Sequence, residues 1–423
     1  MNFTLLKKTD PQLFRLIQKE IIRQKETIDL IASENFVPEV IFEVLGSALT
    51  NKYSEGYPQK RYYPGNVYYD QIEELAQKRA LAAFGLNPKK WSVNVQPYSG
   101  SPANLAVYNA ILQPGDTLMG MSLTSGGHLT HGHKANLSGK LYQSIQYNLN
   151  PKTELIDYQE IENLAQKYHP KIIVSGLTSY PREIDFSKIS EIAHRLGAYS
   201  MADISHIAGL VLTGLYPDPF TSCDIVTTTI HKTLRGPRGA IIFINKESLI
   251  AQKKKIDLEN AINKSVFPQM QGGPHNNVIA AIALTFKLTQ TQGFKNYQRQ
   301  ILKNSRALAE TLQKLGFRLV TKGTDNHLMI LDLRNNGISG MEAETLLEKA
   351  GLMANRNVVV GDMSPFHPSG IRIGTPAVTT RGMKEKEMKK IAELISRVLI
   401  KKEKPVIIKK EVRKLCSKFP IYS

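Results

Sequence analysis

Val226-Thr-Thr-Thr-Ile-His-Lys-Thr-Leu-Arg-Gly-Pro-Arg-Gly239 joins a β-branched run to a turn of glycines, a proline and arginines. Its first five residues favour a pleated, half-buried strand, and the glycines and proline that follow end such a strand in a tight loop. Lys232 is therefore expected at the edge of a core. Burial and the nearby cations Arg235 and Arg238 favour the neutral amine, which suits Lys232 to a Schiff base with an aldehyde.

A second short apolar run, Ala198-Tyr-Ser-Met-Ala-Asp203, ends on a carboxylate and lies one strand–helix–strand step before the lysine. Pyridoxal phosphate needs both groups: an anion that keeps its pyridine nitrogen protonated and an amine that holds its aldehyde. Each residue alone has an ordinary alternative, since Asp203 could cap a helix and Lys232 could be solvated. Together they favour a site for this cofactor.

Seven blocks of sequence, the lysine segment included, carry a resemblance to one family. The other six are Leu30-Ile-Ala-Ser-Glu-Asn35, Asn51-Lys-Tyr-Ser-Glu-Gly-Tyr57, Asn94-Val-Gln-Pro-Tyr-Ser-Gly-Ser101, Gly126-Gly-His-Leu-Thr-His-Gly132, Gln271-Gly-Gly-Pro274 and Ser369-Gly-Ile-Arg-Ile-Gly-Thr-Pro376. In this order and approximate spacing, the chain resembles the serine hydroxymethyltransferases over nearly its whole length. These enzymes use pyridoxal phosphate to interconvert serine and glycine with tetrahydrofolate.

The resemblance implies an α/β fold of the pyridoxal-phosphate-dependent transferase type, fold type I. We expect an N-terminal helical arm over residues 1–50 and a large cofactor domain over 51–285, with a mostly parallel, seven-stranded type of sheet between helices. A smaller C-terminal α/β domain is expected over 286–423. The implied reaction transfers the hydroxymethyl group of serine to tetrahydrofolate and gives glycine and methylenetetrahydrofolate, reversibly, in a homodimer or a tetramer.

The local patterns agree with this organisation. Asp10-Pro11 predicts a helix start in the arm. Short β-rich runs alternate with amphipathic helices between about residues 69 and 284, which is typical of a parallel sheet. The expected strands are 172–174, 199–202, 225–229 and 240–244, followed by strands 317–320 and 327–333; helices are expected over 294–315, 342–350 and 384–400.

Composition excludes several classes of protein. The 423 residues are 42% hydrophobic, which is enough for two domains with sizeable cores. No apolar run approaches the roughly 20 residues of a membrane span, and no signal-peptide pattern follows the N-terminus, so we expect a cytoplasmic protein. The two cysteines lack CxxC or histidine-rich neighbours and indicate neither disulfides nor a metal site.

The formal net charge of +18 is the one global feature that this enzyme does not require. Lysines and arginines concentrate between residues 401 and 418, where they could attract phosphate backbones. This segment lacks interleaved aromatic residues and any nucleic-acid motif. A solvated helix face is therefore the preferred interpretation, and a non-catalytic nucleic-acid-binding protein with this fold is kept as an alternative.

The cofactor phosphate is expected at Gly100 and Ser101, where small residues begin a helix and offer backbone amides and a hydroxyl. By resemblance, Gly272, Gly273 and Tyr53 of a neighbouring subunit complete this cradle. The site is then shared across a dimer.

Four further residues are expected around the cofactor ring by resemblance. His128 follows two glycines and matches the histidine that stacks on the ring face. His206 matches the residue beside the phenolic oxygen. Thr229 and His231 flank the lysine, where they would position the substrate and tune reaction specificity.

A buried arginine is the expected partner of the substrate carboxylate. Arg372 stands alone in an apolar strand, and an unpaired buried cation is costly, so a carboxylate partner is expected. A structural salt bridge is the alternative. Ser33 and Tyr63 match residues that seat the same carboxylate, and Thr178 is a lesser candidate because Pro181-Arg-Glu183 after it is less typical of the family.

Glu55 is the candidate for proton transfer at the hydroxymethyl group and the folate. The expected folate-binding positions are Glu55, Leu123, Gly127, His128, Leu129, Asn357, Ser364, Pro365 and Phe366, all by resemblance. Gln59 and Pro64 stand where the family commonly has glycine. A folate-independent aldolase acting on 3-hydroxy amino acids such as threonine is the alternative within the same cofactor chemistry.

Overall fold

The structure is a computed structural model that describes residues 3–362 and 367–422. In that part of the chain the helices are α1 Thr4–Thr9, α2 Pro11–Glu26, α3 Glu39–Leu45, α4 Val67–Ala83, α5 Gly100–Ile111, α6 Leu137–Leu141, α7 Tyr158–Tyr168, α8 Phe186–Arg195, α9 Ala208–Leu212, α10 Leu249–Lys253, α11 Leu258–Lys264, α12 Asn276–Thr289, α13 Gln292–Lys314, α14 Gly340–Lys349, α15 Pro376–Thr380, α16 Glu385–Leu399 and α17 Pro405–Cys416. The strands are β1 Ile28–Asp29, β2 Gly56–Tyr57, β3 Lys60–Arg61, β4 Trp91–Asn94, β5 Thr117–Met121, β6 Gln143–Tyr147, β7 Ile172–Gly176, β8 Tyr199–Asp203, β9 Ile225–Thr229, β10 Ala240–Asn245, β11 Arg318–Leu319, β12 Leu328–Asp332, β13 Leu352–Met353, β14 Asn355–Asn357 and β15 Gly370–Gly374.

The largest sheet has seven strands in the order β4-β10-β9-β8-β7-β5-β6. All neighbouring pairs are parallel except those that involve β10, which runs antiparallel to both β4 and β9. Every residue of β7, β8 and β9 is buried, as expected for strands that are covered by helices on both faces. The predicted α/β fold is confirmed.

The register of two neighbouring strands positions the candidate site. In the parallel pair β8–β9, Asp203 is the partner of Thr227, and β9 ends two residues later at Thr229. The carboxyl ends of parallel strands meet at one edge of a sheet, where ligands of open α/β sheets bind. The ends of β8 and β9 therefore lie side by side at that edge.

A second hydrophobic core lies around a four-stranded sheet with the order β11-β12-β15-β14. Helices α13, α14, α16 and α17 contribute to the core. Ile28 and Leu30 join this core, because β1 pairs in parallel with β13. The boundary near residue 285 stays a prediction.

The strand that was expected over residues 317–320 is shorter than its sequence suggested. Only β11, Arg318–Leu319, pairs with β12. The chain turns at Thr321, whose φ is 60°, and its N–H donates to a carboxylate oxygen of Glu154 at 2.7 Å. A backbone donor that is committed to a side chain cannot extend the ladder.

The helix start predicted at Asp10-Pro11 is the start of α2, and the short helix α1 precedes it. Asp10 caps α2 by accepting the N–H of Leu13 at 2.9 Å, and Pro11 occupies the first helical position. No residue of α1 or α2 is buried, and Leu5 and Leu16 are 81% and 56% exposed. Within this single chain, the arm leaves several of its apolar side chains exposed.

A buried ion pair fixes the hairpin of β2 and β3. The guanidinium of Arg61 donates to Asp70 at 2.8 Å and to Glu73 at 2.6 Å, and its remaining nitrogen bonds the carbonyls of Ser54 and Gly56. The side chains of Arg61 and Glu73 are only 4% and 1% exposed. Because these bonds flank residue 55, the pair holds the backbone on both sides of it.

Removing the acid of this pair is expected to be strongly destabilising. Glu73→Ala leaves the Arg61 charge buried and only partly compensated, which costs about 3–5 kcal/mol of unfolding free energy. The control is Glu20→Ala, which breaks the exposed Arg23–Glu20 pair at 46% and 48% exposure and should cost at most about 1 kcal/mol. Denaturant titration measures both, and equal losses would contradict the argument.

Candidate active site

Lys232 lies three residues after β9, in the turn at the carboxyl edge of the sheet. Its Nζ donates to Thr229 Oγ1 at 3.0 Å. Burial lowers the pKa of Lys232 to about 8; Asp203 opposes this shift, and Arg372 and Arg238 add to it. Two arginines were expected to lower the pKa of Lys232. Arg238 does so, whereas the guanidinium of Arg235 lies 4.9 Å from the ring centre of Tyr297.

Asp203, at the end of β8, is buried and accepts several hydrogen bonds. Its Oδ2 accepts from Asn104 Nδ2 at 2.8 Å and faces His131 Nε2 at 3.3 Å, and its Oδ1 accepts the N–H of Ser205 at 3.1 Å. Burial by itself raises the pKa of Asp203, but the interaction with His131, together with the other hydrogen-bond donors, brings it well below its usual range. The side chain is therefore a carboxylate.

The same network orients His128. Thr130 directs its N–H, at 3.2 Å, and its hydroxyl, at 2.7 Å, towards Nδ1 of His128, so this nitrogen is an acceptor and Nε2 carries the proton. Burial lowers the pKa of His128 to about 4, which makes the ring neutral. Asn104 Nδ2 donates to Thr130 as well as to Asp203, and thereby connects the two groups.

Asn104 is a site residue that the sequence prediction missed. It is buried in α5, and its Oδ1 accepts the hydroxyl of Thr227 at 2.8 Å, so that both ends of its amide are used. The sequence signal that could have indicated Asn104 is a polar residue on the apolar side of a helix, three positions after Ser101.

Gly127 shows why glycines precede His128. A Cβ atom at this position would overlap the carbonyl oxygen of Met121, the last residue of β5. The preceding Gly126 accepts the N–H of Thr178 at 2.7 Å through its carbonyl. The two glycines therefore let the His128 loop lie directly against the end of the sheet and join it to the segment at residue 178.

The first turn of α5 meets the turn of the lysine. A Cβ atom on Gly100 would lie 2.8 Å from Cγ2 of Thr229, so only glycine fits without displacement. Ser99 is the N-cap of this 12-residue helix, and its side chain makes no capping hydrogen bond. The N–H groups that begin a helix, with the hydroxyls of Ser99 and Ser101, are suitable donors for a phosphate.

Arg372 lies in the middle of β15, 7% exposed. Its guanidinium donates to Asn355 Oδ1 at 3.1 Å, to the carbonyl of Thr178 at 2.8 Å and to Ser33 Oγ at 3.4 Å. Burial lowers its pKa to about 10 against the opposing charge of Glu34, so the group is still cationic at neutral pH. All three hydrogen-bond partners are uncharged, which argues against the structural salt bridge.

The histidines near the lysine are held neutral by burial. His206 Nδ1 lies 3.3 Å from Nε2 of His327, and burial lowers the pKa of His206 well below its ordinary value and that of His327 to about 3. Burial also lowers the pKa of His231 to about 3. His327 was not predicted, because it approaches His206 only through the packing of β12.

Five predicted residues form a second cluster. Tyr53 donates its hydroxyl to Glu55 at 3.2 Å and packs edge-on against Tyr63 with ring centres 5.2 Å apart. Gly272 and Gly273 lie beside the ring and hydroxyl of Tyr53. Among the described residues, none of these five is hydrogen-bonded or ion-paired to Lys232, Asp203 or Arg372. Tyr53 and Tyr63 are 53% and 44% exposed, so this cluster faces outwards.

The departures from the family pattern can be partly explained. Gln59 adopts the left-handed region with a φ of 63°, which glycine tolerates best. Its N–H donates to Asp70 at 2.9 Å and its side chain donates to Glu74 at 3.0 Å. These bonds offset the strain. For Pro64 the structure offers no explanation.

The expected folate-binding positions are only partly described. Leu123 and His128 are half-buried, Leu129 is 43% exposed, and Asn357 lies in β14 with its amide donating to the carbonyl of Val358 at 2.7 Å. Ser364, Pro365 and Phe366 lie outside the described residues.

Within residues 3–362 and 367–422, no group of three or more His, Cys, Asp or Glu side chains is arranged to hold a metal ion. No described helix combines the length and apolar character that a bilayer span requires.

The depressed pKa of Lys232 predicts unusual reactivity. Only the neutral amine reacts with an amine-selective acylating reagent, so labelling of Lys232 in the cofactor-free protein should rise with pH through a midpoint near 8. Labelling of exposed lysines should rise with a midpoint at about pH 10.4. Arg372→Leu removes a charge that lowers this pKa and should move the midpoint upwards, whereas Arg356→Leu, an exposed control, should not. Mass spectrometry of the labelled peptide measures the extent of labelling at each pH. A midpoint for Lys232 equal to that of exposed lysines in the unmodified chain would contradict the lowered pKa of the buried amine.

One comparison with known proteins bears on this site. Residues 6–395 match the family described as serine hydroxymethyltransferase. The match covers most of the chain, including every block around Lys232, Asp203, His128 and Arg372. The family is a group of pyridoxal-phosphate-dependent one-carbon transferases. This chain therefore belongs to the serine hydroxymethyltransferase family and is an enzyme of that type.

Proposed function

We propose that the protein transfers the hydroxymethyl group of serine to tetrahydrofolate, reversibly, and releases glycine and methylenetetrahydrofolate. The observation that carries the proposal is the buried amine of Lys232, which feels the charges of Asp203 and Arg372, together with an Arg372 guanidinium whose hydrogen-bond partners among the described residues are all uncharged. Family membership fixes the class of reaction, and this geometry supports the finer assignment.

The residues present fit pyridoxal phosphate. Asp203 is ionised and can keep a pyridine nitrogen protonated. Lys232 can bind the aldehyde, and the start of α5 at Gly100 offers a phosphate cradle that a Cβ atom would fill. His128 presents a neutral ring that is fixed by Thr130. When bound, the cofactor supplies an electron sink for the bonds of the substrate α carbon.

Lys232 is proposed to hold the cofactor and then to move a proton. With a pKa near 8, its Nζ exchanges protons at physiological pH far more readily than an ordinary lysine. Thr229 Oγ1 accepts a hydrogen bond from Nζ and so keeps the amine directed along the sheet edge. The neutral His231 and His206 line this region without adding charge.

Arg372 is proposed to bind the substrate carboxylate. A guanidinium has five N–H donors, and three of them point at Asn355, Thr178 and Ser33. One donor on each terminal nitrogen is left for a bidentate carboxylate. Ser33 and the carbonyl of Thr178 thus act by orienting the guanidinium fork, and for Thr178 the contact is through its backbone.

Glu55 is proposed to act in the site of a neighbouring subunit. Its cluster with Tyr53, Tyr63 and the two glycines at 272 and 273 faces outwards, and Arg61 bonds the backbone carbonyls on either side of Glu55. The uncovered apolar side chains of α1 and α2 also need a partner surface. In a homodimer, Glu55 would serve the hydroxymethyl group and Tyr63 the carboxylate end of the substrate bound by the other chain.

Tetrahydrofolate is proposed to lie between the Leu123–Leu129 loop and Asn357. Exposed apolar surface at Leu129 with a polar amide nearby suits a heterocycle that carries an amide edge. Serine cleavage should therefore depend on the folate.

Lys232→Ala should abolish turnover and folate-dependent glycine formation from serine. The reason is that both the covalent attachment and the proton carrier are lost. Lys253→Ala, at an exposed lysine that ends α10, should retain activity. Glycine production is measured with and without tetrahydrofolate. Full activity of Lys232→Ala would refute the proposal, and equal rates without folate would establish the aldolase instead.

Subunit complementation tests the shared site. Lys232→Ala and Glu55→Gln should each be nearly inactive alone. If each site combines Lys232 of one chain with Glu55 of the other, about half of all dimers are mixed and each mixed dimer contains one intact site, which restores about a quarter of wild-type activity. Mixing after subunit exchange, followed by a serine assay, measures this. A mixture that stays inactive would show that each chain forms its site alone.

A further inference from the structure

The tripeptide Ser33-Glu34-Asn35 connects the two ends of the proposed substrate site. Ser33 Oγ accepts from Arg372, as described above. Asn35, two residues later, donates its side-chain amide to the backbone carbonyl of Lys232 at 2.9 Å. A short stretch of chain therefore contacts both the lysine and the arginine. The proposed function gives Asn35 no role.

The side-chain amide of Asn35 also bonds two helices. Nδ2 also donates to the hydroxyl of Tyr297 in α13 at 2.8 Å. Oδ1 accepts the hydroxyl of Thr380, the last residue of α15, at 2.6 Å and the N–H of Phe36 at 2.9 Å. Because the carbonyl of Lys232 can only accept, the orientation of this amide is fixed.

The bonded carbonyl closes the turn that carries the lysine. The oxygen of Lys232 also accepts the N–H of Arg235 at 3.1 Å, and the N–H of Gly236 donates to the carbonyl of Ile230 at 2.8 Å. Asn35 therefore anchors this turn by a hydrogen bond to its backbone. Through Oδ1, Asn35 also bonds Thr380 of α15. This helix begins two residues after β15, the strand that carries Arg372.

We propose that Asn35 is a positioning residue that sets the separation and orientation of the Lys232 amine relative to the Arg372 guanidinium. A small amino acid bound here would place its amino group at the aldehyde that Lys232 holds and its carboxylate on Arg372, and misplacement of either side chain by about 1 Å is enough to slow a reaction severely. The inference rests on the proposed function for its substrate and adds to it the device that holds the two ends in register.

The test compares Asn35→Ala with a matched control, Asn304→Ala. Asn304 is a buried amide of α13 that donates to Thr379 at 2.8 Å and to the carbonyl of Met383 at 2.9 Å, and its side chain makes no hydrogen bond to the described residues of the lysine turn. Both variants should lose stability, which thermal unfolding measures. Differences between them therefore report on the lysine turn.

Two measurements are made on each variant. In the cofactor-free protein, the pH midpoint for labelling Lys232 should rise in Asn35→Ala, because a loosened turn hydrates the amine, and should be unchanged in Asn304→Ala. In the pyridoxal-phosphate-loaded protein, Asn35→Ala should weaken glycine binding, followed by cofactor absorbance, and lower kcat for serine by about ten- to a hundredfold with cofactor content retained.

The outcomes separate the two proposals. A wild-type labelling midpoint together with wild-type glycine affinity in Asn35→Ala would overturn the role of Asn35. If the unmodified protein neither binds glycine nor cleaves serine, the proposed function fails, while the labelling experiment still decides whether Asn35 positions the lysine. Should Asn35→Ala not fold, Asn35→Asp keeps the acceptor for Thr380 and Phe36, loses the donor to Lys232, and should weaken glycine binding in the same way.

Discussion

The burial of one amine at the carboxyl edge of a parallel sheet is the constraint on which the rest of this site depends. Lys232 is taken out of water beside Asp203, whose strand is the neighbour of β9, and beside Arg372, which comes from the other sheet. The sheet register places the carboxylate, the turn after β9 places the amine, and β15 delivers the guanidinium. Loss of Asp203 or Arg372 removes a charge that tunes the pKa of Lys232.

The charges of the site are arranged at the expense of stability. A buried guanidinium whose hydrogen-bond partners are all neutral is unfavourable in a folded chain, because its desolvation is incompletely compensated. Arg61 shows the contrast, since two carboxylates and two carbonyls satisfy it. We interpret Arg61 as structural, in support of the Glu55 loop, and the open donors of Arg372 as kept for a ligand.

Local pattern was enough to predict the central strands and the start of α2, because continuous apolar runs and an Asp-Pro cap depend on few neighbours. It also indicated that Asp203 and Lys232 would end neighbouring strands. The network that tunes them was not predictable in this way. Asn35 and Lys232 are 197 residues apart in sequence, and Asn104 and Asp203 are 99 apart. Such contacts follow from tertiary packing, as does the replacement of Arg235 by Arg372 as a neighbouring cation.

The covalent attachment of pyridoxal phosphate to Lys232 tests this account most directly. The purified protein is loaded with the cofactor, reduced with borohydride, digested and mapped by mass spectrometry. We expect a single stable adduct on Lys232, within the segment 226–239, and its loss when the amine is removed by Lys232→Ala. An adduct on a different lysine, or no adduct after loading and reduction, would contradict it.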